Sequence, residues 1–264
     1  MLPKYVKVRG IIYNIYFYDS RSMSFLRLLF EKLRHIFISS SNLVESAYIL
    51  NDKDACKLLN DKYKTTKYKY LVDPVPNVDP EKIKGLRMEL DIPAGNKVYL
   101  HFGAMDKRKG TIEFLKAISL LSEHESKNKT FIFAGKILDE IKDEFYQIAN
   151  TIIDKLDIKI YDSFCDYEFL YSLCKTCDII VAPYKITSNS SGVLGYAALF
   201  NKSVIGPSSG LVGRIIKDNN LGLVLNECTP IHIKNAILQK KIIGENNYSK
   251  THRIVDFTNQ ILNM

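Results

Sequence analysis

Apolar residues in the later two thirds of the chain fall in short unbroken runs, with no in–out alternation. Residues 178–183, Asp-Ile-Ile-Val-Ala-Pro, and 204–207, Val-Ile-Gly-Pro, show this most clearly. Such runs are how strands look when both of their faces are buried, as in a parallel sheet. The same texture predicts strands at 97–102, 130–134, 158–161, 178–182, 203–206 and 222–225. Helical periodicity between them predicts helices at 111–123, 138–153, 166–175, 191–200 and 211–217. Six strands alternating with helices predict a doubly wound parallel sheet with right-handed crossovers.

The preceding region is shorter. It reads as a strand over 8–18, a helix over 22–38, a strand over 46–50, a helix over 52–61 and a strand near 68–72. Residues 73–80 hold three prolines and read as a linker. Three strands and two helices make up only part of a doubly wound domain and look like its second half. A last helix over 248–262 has the length to cross back onto this piece. The expected organisation is therefore a partial α/β domain over 1–75, a complete Rossmann-like domain over 76–247, and a crossing helix within 248–264.

The 22–38 helix carries Phe25, Leu26, Leu29, Phe30, Leu33, Ile36 and Phe37, interleaved with Arg21, Arg27, Lys32, Arg34 and His35. So wide an apolar set is expected to be buried in the fold. The alternative is contact with anionic lipid at a membrane surface.

Charge sharpens that alternative. Of the net charge of +8, residues 1–75 contribute +6, from thirteen Lys/Arg against seven Asp/Glu. A basic part of this kind suits anionic lipid, an acidic substrate or nucleic acid. No recognised nucleic-acid-binding motif accompanies it, so no nucleic-acid partner is expected. No run reaches the length of a membrane-spanning helix, and the first residues lack a signal peptide's apolar centre. Five scattered cysteines fit a reducing compartment, and the lone Cys174/Cys177 pair falls on a predicted helix. These features predict a cytoplasmic protein.

In open α/β sheets, ligands bind beyond the carboxyl ends of the strands. Several candidate residues fall there. Residues 187–195, Thr-Ser-Asn-Ser-Ser-Gly-Val-Leu-Gly, lead from a buried strand into a helix. A helix N-terminus in such a loop points unpaired N–H groups and positive dipole at the sheet edge, where a phosphate fits. Taken alone, the segment reads equally as a βα turn with a serine cap. Residues 103–110, Gly-Ala-Met-Asp-Lys-Arg-Lys-Gly, leave the first strand and bring Arg108 and Lys109 beside it. A cationic loop and a helix N-terminus, Ser190 to Val193 through Ser191 and Gly192, grip a diphosphate from two sides. Gly135 ends the next strand. Phe164 ends the loop after the third, where a ring and free backbone suit a nucleobase.

At these residues the chain resembles the nucleotide-sugar-binding half of a GT-B glycosyltransferase, of the large retaining group-one, family-four type. The resemblance runs over about 70–264 and, more loosely, over the N-terminal piece. It is carried by Gly103, Arg108-Lys-Gly-Thr-Ile-Glu-Phe-Leu-Lys-Ala117, Phe133-Ala-Gly135 and the stretch from Asp166 to Pro183. Gly192, Tyr196-Ala-Ala198, Lys202 to Gly206, Gly210-Leu-Val212 and Gly222-Leu-Val224 follow in the family's order. No single piece is specific, but the ordered set is.

The resemblance implies transfer of a sugar from a nucleotide-diphosphate sugar to an acceptor held by the N-terminal domain. No cofactor is implied beyond that donor substrate, and no metal. Lys109 falls on the family's phosphate-holding lysine, with Arg108 beside it. Gly103 opens the donor loop, Gly135 and Phe164 fall at the nucleobase side, and Ser190, Ser191, Gly192 and Val193 fall where backbone amides meet the diphosphate. There are departures. Ala104 replaces an arginine, and the family's two glutamates fall on Ser188 and Tyr196, so Tyr196 either offers the ribose a ring or hydroxyl instead of a carboxylate or is a packed helix residue. A histidine of the acceptor domain aligns with Asn14, and about half of that domain has no counterpart.

The expected function is hexosyl transfer in assembly of bacterial capsule, lipopolysaccharide or exopolysaccharide. Its partners are a nucleotide sugar and a glycan or lipid-linked acceptor, and its place is the cytoplasm at the inner face of the membrane. Two alternatives stand beside it. One is a donor-binding subunit that needs a partner chain to supply the rest of the acceptor domain. The other is a non-catalytic scaffold of the same fold.

Overall fold

The computed structural model describes residues 6–13, 25–239 and 246–262. In chain order its elements are β1 (Val8–Ile12), α1 (Phe25–Ser40), β2 (Val44–Leu50), α2 (Lys53–Tyr63), β3 (Tyr68–Leu71), β4 (Lys97–Phe102), α3 (Thr111–Ser119), α4 (Glu123–Ser126), β5 (Lys129–Ala134), α5 (Asp139–Ile152) and β6 (Asp157–Tyr161). They continue as α6 (Tyr167–Thr176), β7 (Ile179–Val181), α7 (Gly192–Leu199), β8 (Ser203–Pro207), α8 (Gly210–Asp218), β9 (Gly222–Leu225), α9 (Pro230–Ile237), α10 (Tyr248–Thr251) and α11 (Ile254–Leu262). The position aligned with the family histidine, Asn14, and the expected start of the first long helix at 22–24 lie outside the described residues. The chain divides into two compact units. One comprises 1–74, 188–190 and 252–264, the other 75–187 and 191–251.

The first unit is built on a parallel sheet in the order β1-β2-β3. Ala47, Ile49, Ala55, Cys56, Leu59 and Tyr68 form its small core with Ile38. α11 packs on β3, where Gln260 accepts from the Val72 N–H at 3.0 Å and from the Tyr48 hydroxyl at 3.1 Å. The single helix expected over 248–262 is two, α10 and α11. The break falls at His252–Arg253, where the Asp256 carboxylate accepts from the Arg253 N–H at 3.2 Å and starts α11 afresh.

α1 overturns the burial expected of it. Phe25 is 78% exposed, Leu26 65% and Phe30 70%, and Leu29, Leu33 and Phe37 are exposed as well. The side of α1 that meets its own unit carries His35 and Ile38, both buried. His35 Nδ1 lies 2.8 Å from the Tyr68 hydroxyl, and its ring stacks on Tyr63.

The second unit holds six parallel strands in the order β6-β5-β4-β7-β8-β9. This is the doubly wound order, whose reversal lies between β4 and β7. Strand side chains divide by parity between two cores. Val98, Leu100 and Phe102 join one, with Ile132, Ile180 and Val204. Tyr99 joins the other, with Phe131, Phe133, Ile179, Val181 and Ile205. Burial on both faces explains the unbroken apolar runs. Cys174 and Cys177 on the last turn of α6 and its cap are buried in the first of these cores, and burial pushes both thiols up.

Two helical boundaries differ from the sequence expectation. The helix expected over 111–123 ends at Ser119, and α4 restarts after Ser122. There Ser122 and Glu125 make a reciprocal capping box. α9 was not expected. Thr229 accepts from the His232 N–H, and Pro230 occupies the first turn, where its missing N–H costs nothing.

Candidate functional site

The site is built at the carboxyl ends of β4, β5 and β7, beside the reversal of strand order. After β4 the chain turns through Gly103 and forms a single 3-10 turn over Lys107–Lys109. Asp106 caps that turn, accepting from the Lys109 N–H at 2.8 Å, and its carboxylate lies 3.3 Å from Arg108. Asp106 is thus a loop anchor. The loop is pinned below by Met105, whose N–H donates to Lys136 O at 2.8 Å. It is pinned beside β7 by Arg108 O, which accepts from the Lys185 N–H at 2.9 Å. Gly110 has φ +69°, and a Cβ there would stand 2.1 Å from Pro183 O, so only glycine lets the two loops meet.

This turn folds Lys109 back over the strand it came from. Its ammonium is 3.4 Å from Phe102 O and 5.9 Å from the centre of the Tyr184 ring. It occupies the space a Cβ at Gly103 would need, 2.5 Å away. Among the described residues it makes no ion pair with a carboxylate. Burial, helped by the neighbouring Arg108 charge, brings Lys109 down to about 8. Lys109 is thus a partly desolvated cation at the sheet's carboxyl edge.

Tyr184 connects this cation to the next element. It is buried, its phenol is pushed up to about 12 by burial, and its hydroxyl lies 3.1 Å from Ser191 Oγ. Ser191 is the residue before α7, yet its side chain caps none of the helix N–H groups. The reading of this segment as a serine-capped turn is therefore not what the chain does. Val193 is buried at the helix start, while Gly192 is exposed with open space over its Cα. The uncapped N-terminus of α7 carries positive partial charge where an anion can meet the backbone.

The other predicted residues fall out differently. Ser190 belongs to the first unit, where its hydroxyl donates to Asp73 at 2.7 Å and accepts from Asn51 Nδ2 at 3.0 Å. Its hydroxyl proton is thus committed to Asp73 instead of to a ligand. Gly135 follows β5 with φ +135°, and a Cβ there would stand 2.2 Å from the Gly103 carbonyl oxygen. Phe164 is 87% exposed in the loop after β6. Tyr196 is half-buried on α7, edge-on to Phe102 at 5.4 Å and beside Tyr171 at 5.8 Å. Asp162, not among the predicted residues, anchors the end of β6: it accepts from the Ile137 N–H at 2.8 Å and lies 3.0 Å from Lys142 and 3.6 Å from Lys136.

His101 and Tyr184 are the residues that sequence reasoning missed. His101 sits under the loop, buried, with Nδ1 2.8 Å from Val181 O and Nε2 3.0 Å from Thr111 Oγ1. Burial brings it down to about 4, so it is neutral near neutral pH and ties β4, β7 and α3 together. For Tyr184 the available signal was its position immediately after the strand-ending Pro183.

No family model matches the chain, and no curated protein sequence matches it. Solved structures do. HepE of Anabaena, solved with UDP and glucose, superposes with a TM-score of 0.73 at 15% identity, over 97% of this chain and 71% of its own. WaaG, a glycosyltransferase of lipopolysaccharide biosynthesis, gives 0.68 at 16% identity, over 94% of this chain and 70% of its own. The C-terminal domain of the group 1 glycosyl transferase LpcC from Francisella tularensis gives 0.51 at 19% identity. All of that domain is covered, by 67% of this chain. Strand order, the glycine-rich first turn and these superpositions agree: the chain has the fold of the GT-B glycosyltransferases.

Proposed function

We propose that the chain is a glycosyltransferase that takes a nucleotide-diphosphate sugar as donor. The observation that carries this reading is Lys109, a half-buried ammonium with no carboxylate partner among the described residues, joined through Tyr184 to the uncapped start of α7. Phosphate charge at this place relieves the desolvation of Lys109 and meets the N–H groups of Gly192 and Val193. Arg108 adds a second, exposed cation.

The chemistry follows from where charge appears. As the bond from the sugar to the diphosphate breaks, negative charge builds on the leaving phosphate oxygens. Lys109, Arg108 and the α7 N-terminus lower the energy of that charge more than that of the intact donor. Ser188 and Tyr196 stand where the resembled family has carboxylates. Leaving-group stabilisation therefore carries more of the rate here, and the acceptor hydroxyl enters on the face the diphosphate leaves, with retention. Phe164, exposed at its loop, offers a ring for the base. HepE has been solved with UDP-glucose, and WaaG acts in lipopolysaccharide biosynthesis. These support a uridine-type donor and a role in bacterial capsule, lipopolysaccharide or exopolysaccharide assembly, with a glycan or lipid-linked acceptor.

The test is a panel of nucleotide sugars incubated with the purified chain, with release of nucleoside diphosphate followed over time. Release from one donor, lost in Lys109→Ala, is the expected result. Release from none, under conditions where the chain is folded, contradicts the proposal.

A further inference from the structure

α1 turns His35 and Ile38 toward its own unit and most of its large apolar side chains to solvent. On its inner side His35 is buried against Tyr68 and Tyr63, and Arg34 pairs with Glu31. On its outer side Phe25, Leu26, Leu29, Phe30, Leu33 and Phe37 are all exposed. At 3.6 residues per turn these, with Ile36, fill one arc of about 140° that contains no charged residue. Contiguous apolar surface of this kind marks an interaction face, since a solvated helix ordinarily places charge there.

We infer that this face of α1 lies on an anionic lipid surface. The choice of occupant rests on charge. On α1, α2 and the α2 cap, the exposed side chains include Lys32, Lys53, Lys57, Lys62 and Lys64 against Asp54 and Asp61 alone among exposed acids. Lys32 borders the apolar arc directly, while Arg34 is held inward by Glu31. Phenylalanine and leucine on one side with a lysine at their border, in a part of the chain where basic side chains outnumber acidic ones, is the arrangement of a helix that lies in the headgroup plane. No helix among the described residues is long and apolar enough to cross a membrane. α1 therefore lies along the surface for its length of about 24 Å, its apolar arc below the headgroups and Lys32 at their level. This inference is independent of the donor site.

The experiment is sedimentation of the full chain with phosphatidylcholine vesicles, with and without phosphatidylglycerol. The parent and the double variant Leu33→Glu/Phe37→Glu are compared, with thermal unfolding of both as the control for folding. Both changes are at exposed positions, so the melt is expected to stay in place. The parent is expected to partition onto the phosphatidylglycerol vesicles, less at high salt, and the double variant to lose at least about tenfold of that partition. Lys32→Glu is expected to weaken it in part. Three results overturn the inference. One is no binding to the anionic vesicles, and another is partition unchanged in the folded double variant. The third is a concentration-dependent dimer that the double variant abolishes without any vesicle binding. Nucleotide titration of the same preparations tells failure here from failure of the donor-site reading.

Discussion

The Lys109 ammonium lies 5.9 Å from the centre of the Tyr184 ring, and the Tyr184 hydroxyl lies 3.1 Å from Ser191 Oγ. Two loops far apart in sequence, one after β4 and one after β7, thereby share a single anchor. The cation comes from one and the helix N-terminus from the other. Neither is neutralised by the protein itself, since Lys109 has no ion pair among the described residues and α7 has no side-chain cap.

Affinity should depend on pH in a set direction. Lys109 is brought down to about 8 from the ordinary 10.5. A bound diphosphate favours the ammonium, so nucleotide diphosphate binding should weaken as pH rises through 8 and beyond. The phosphate is already ionised there, its second pKa being about 6. Stability of the unliganded chain should move the opposite way. Between 8 and 10.5 the unfolded chain binds more protons at this residue, so its contribution rises with pH. Binding and melting curves across that range, in parent and Lys109→Met, read both slopes.

Gly103→Ala should act as an indirect removal of Lys109. The new Cβ would lie 2.5 Å from the ammonium, and φ is +93°. The far end of the lysine is the softer of the two, so it moves. Donor affinity should fall nearly as far as in Lys109→Ala, with a backbone cost of about 1–3 kcal/mol in stability. Wild-type affinity in Gly103→Ala would place the ammonium elsewhere.

Tyr184→Phe removes the link to Ser191 and keeps the ring. A loss of about 0.5–1.5 kcal/mol in stability is expected, together with weaker donor binding. Chemical denaturation and titration measure the two effects separately.

Acid should destabilise both units through buried histidines. His35 and His101 are each brought down to about 4 by burial, below the ordinary 6.5. Between 6.5 and 4 the unfolded chain binds the extra protons, so stability is lost as pH falls through that window. His101→Gln, which keeps a polar group beside Thr111, should flatten the slope for the second unit. An unchanged slope counts against the neutral His101.

Much of this was legible in the chain itself, for physical reasons. Strands such as 130–134 and 203–207 are buried on both faces, and that leaves an unbroken apolar run in sequence. The loop that carries Lys109 was legible as a turn at the carboxyl end of β4 because Gly103 and Gly110 bracket it. Other features needed three dimensions. Periodicity shows that α1 has an apolar side, but not whether anything covers it. The inward side turned out to be the one with His35, whose partner Tyr68 lies 33 positions away. Ser190 reads as a ligand donor until Asp73 and Asn51 are seen to hold its hydroxyl. α9 was missed because it is short, although Thr229-Pro230 is a start signal.

The most direct measurement is calorimetric titration of the chain and of Lys109→Ala with UDP and with GDP near pH 7. Saturable binding of one of them is predicted, weakened in the variant by roughly 1–3 kcal/mol, the scale of a charge-assisted hydrogen bond. No binding of either nucleotide, or equal affinity in chain and variant, would contradict the account.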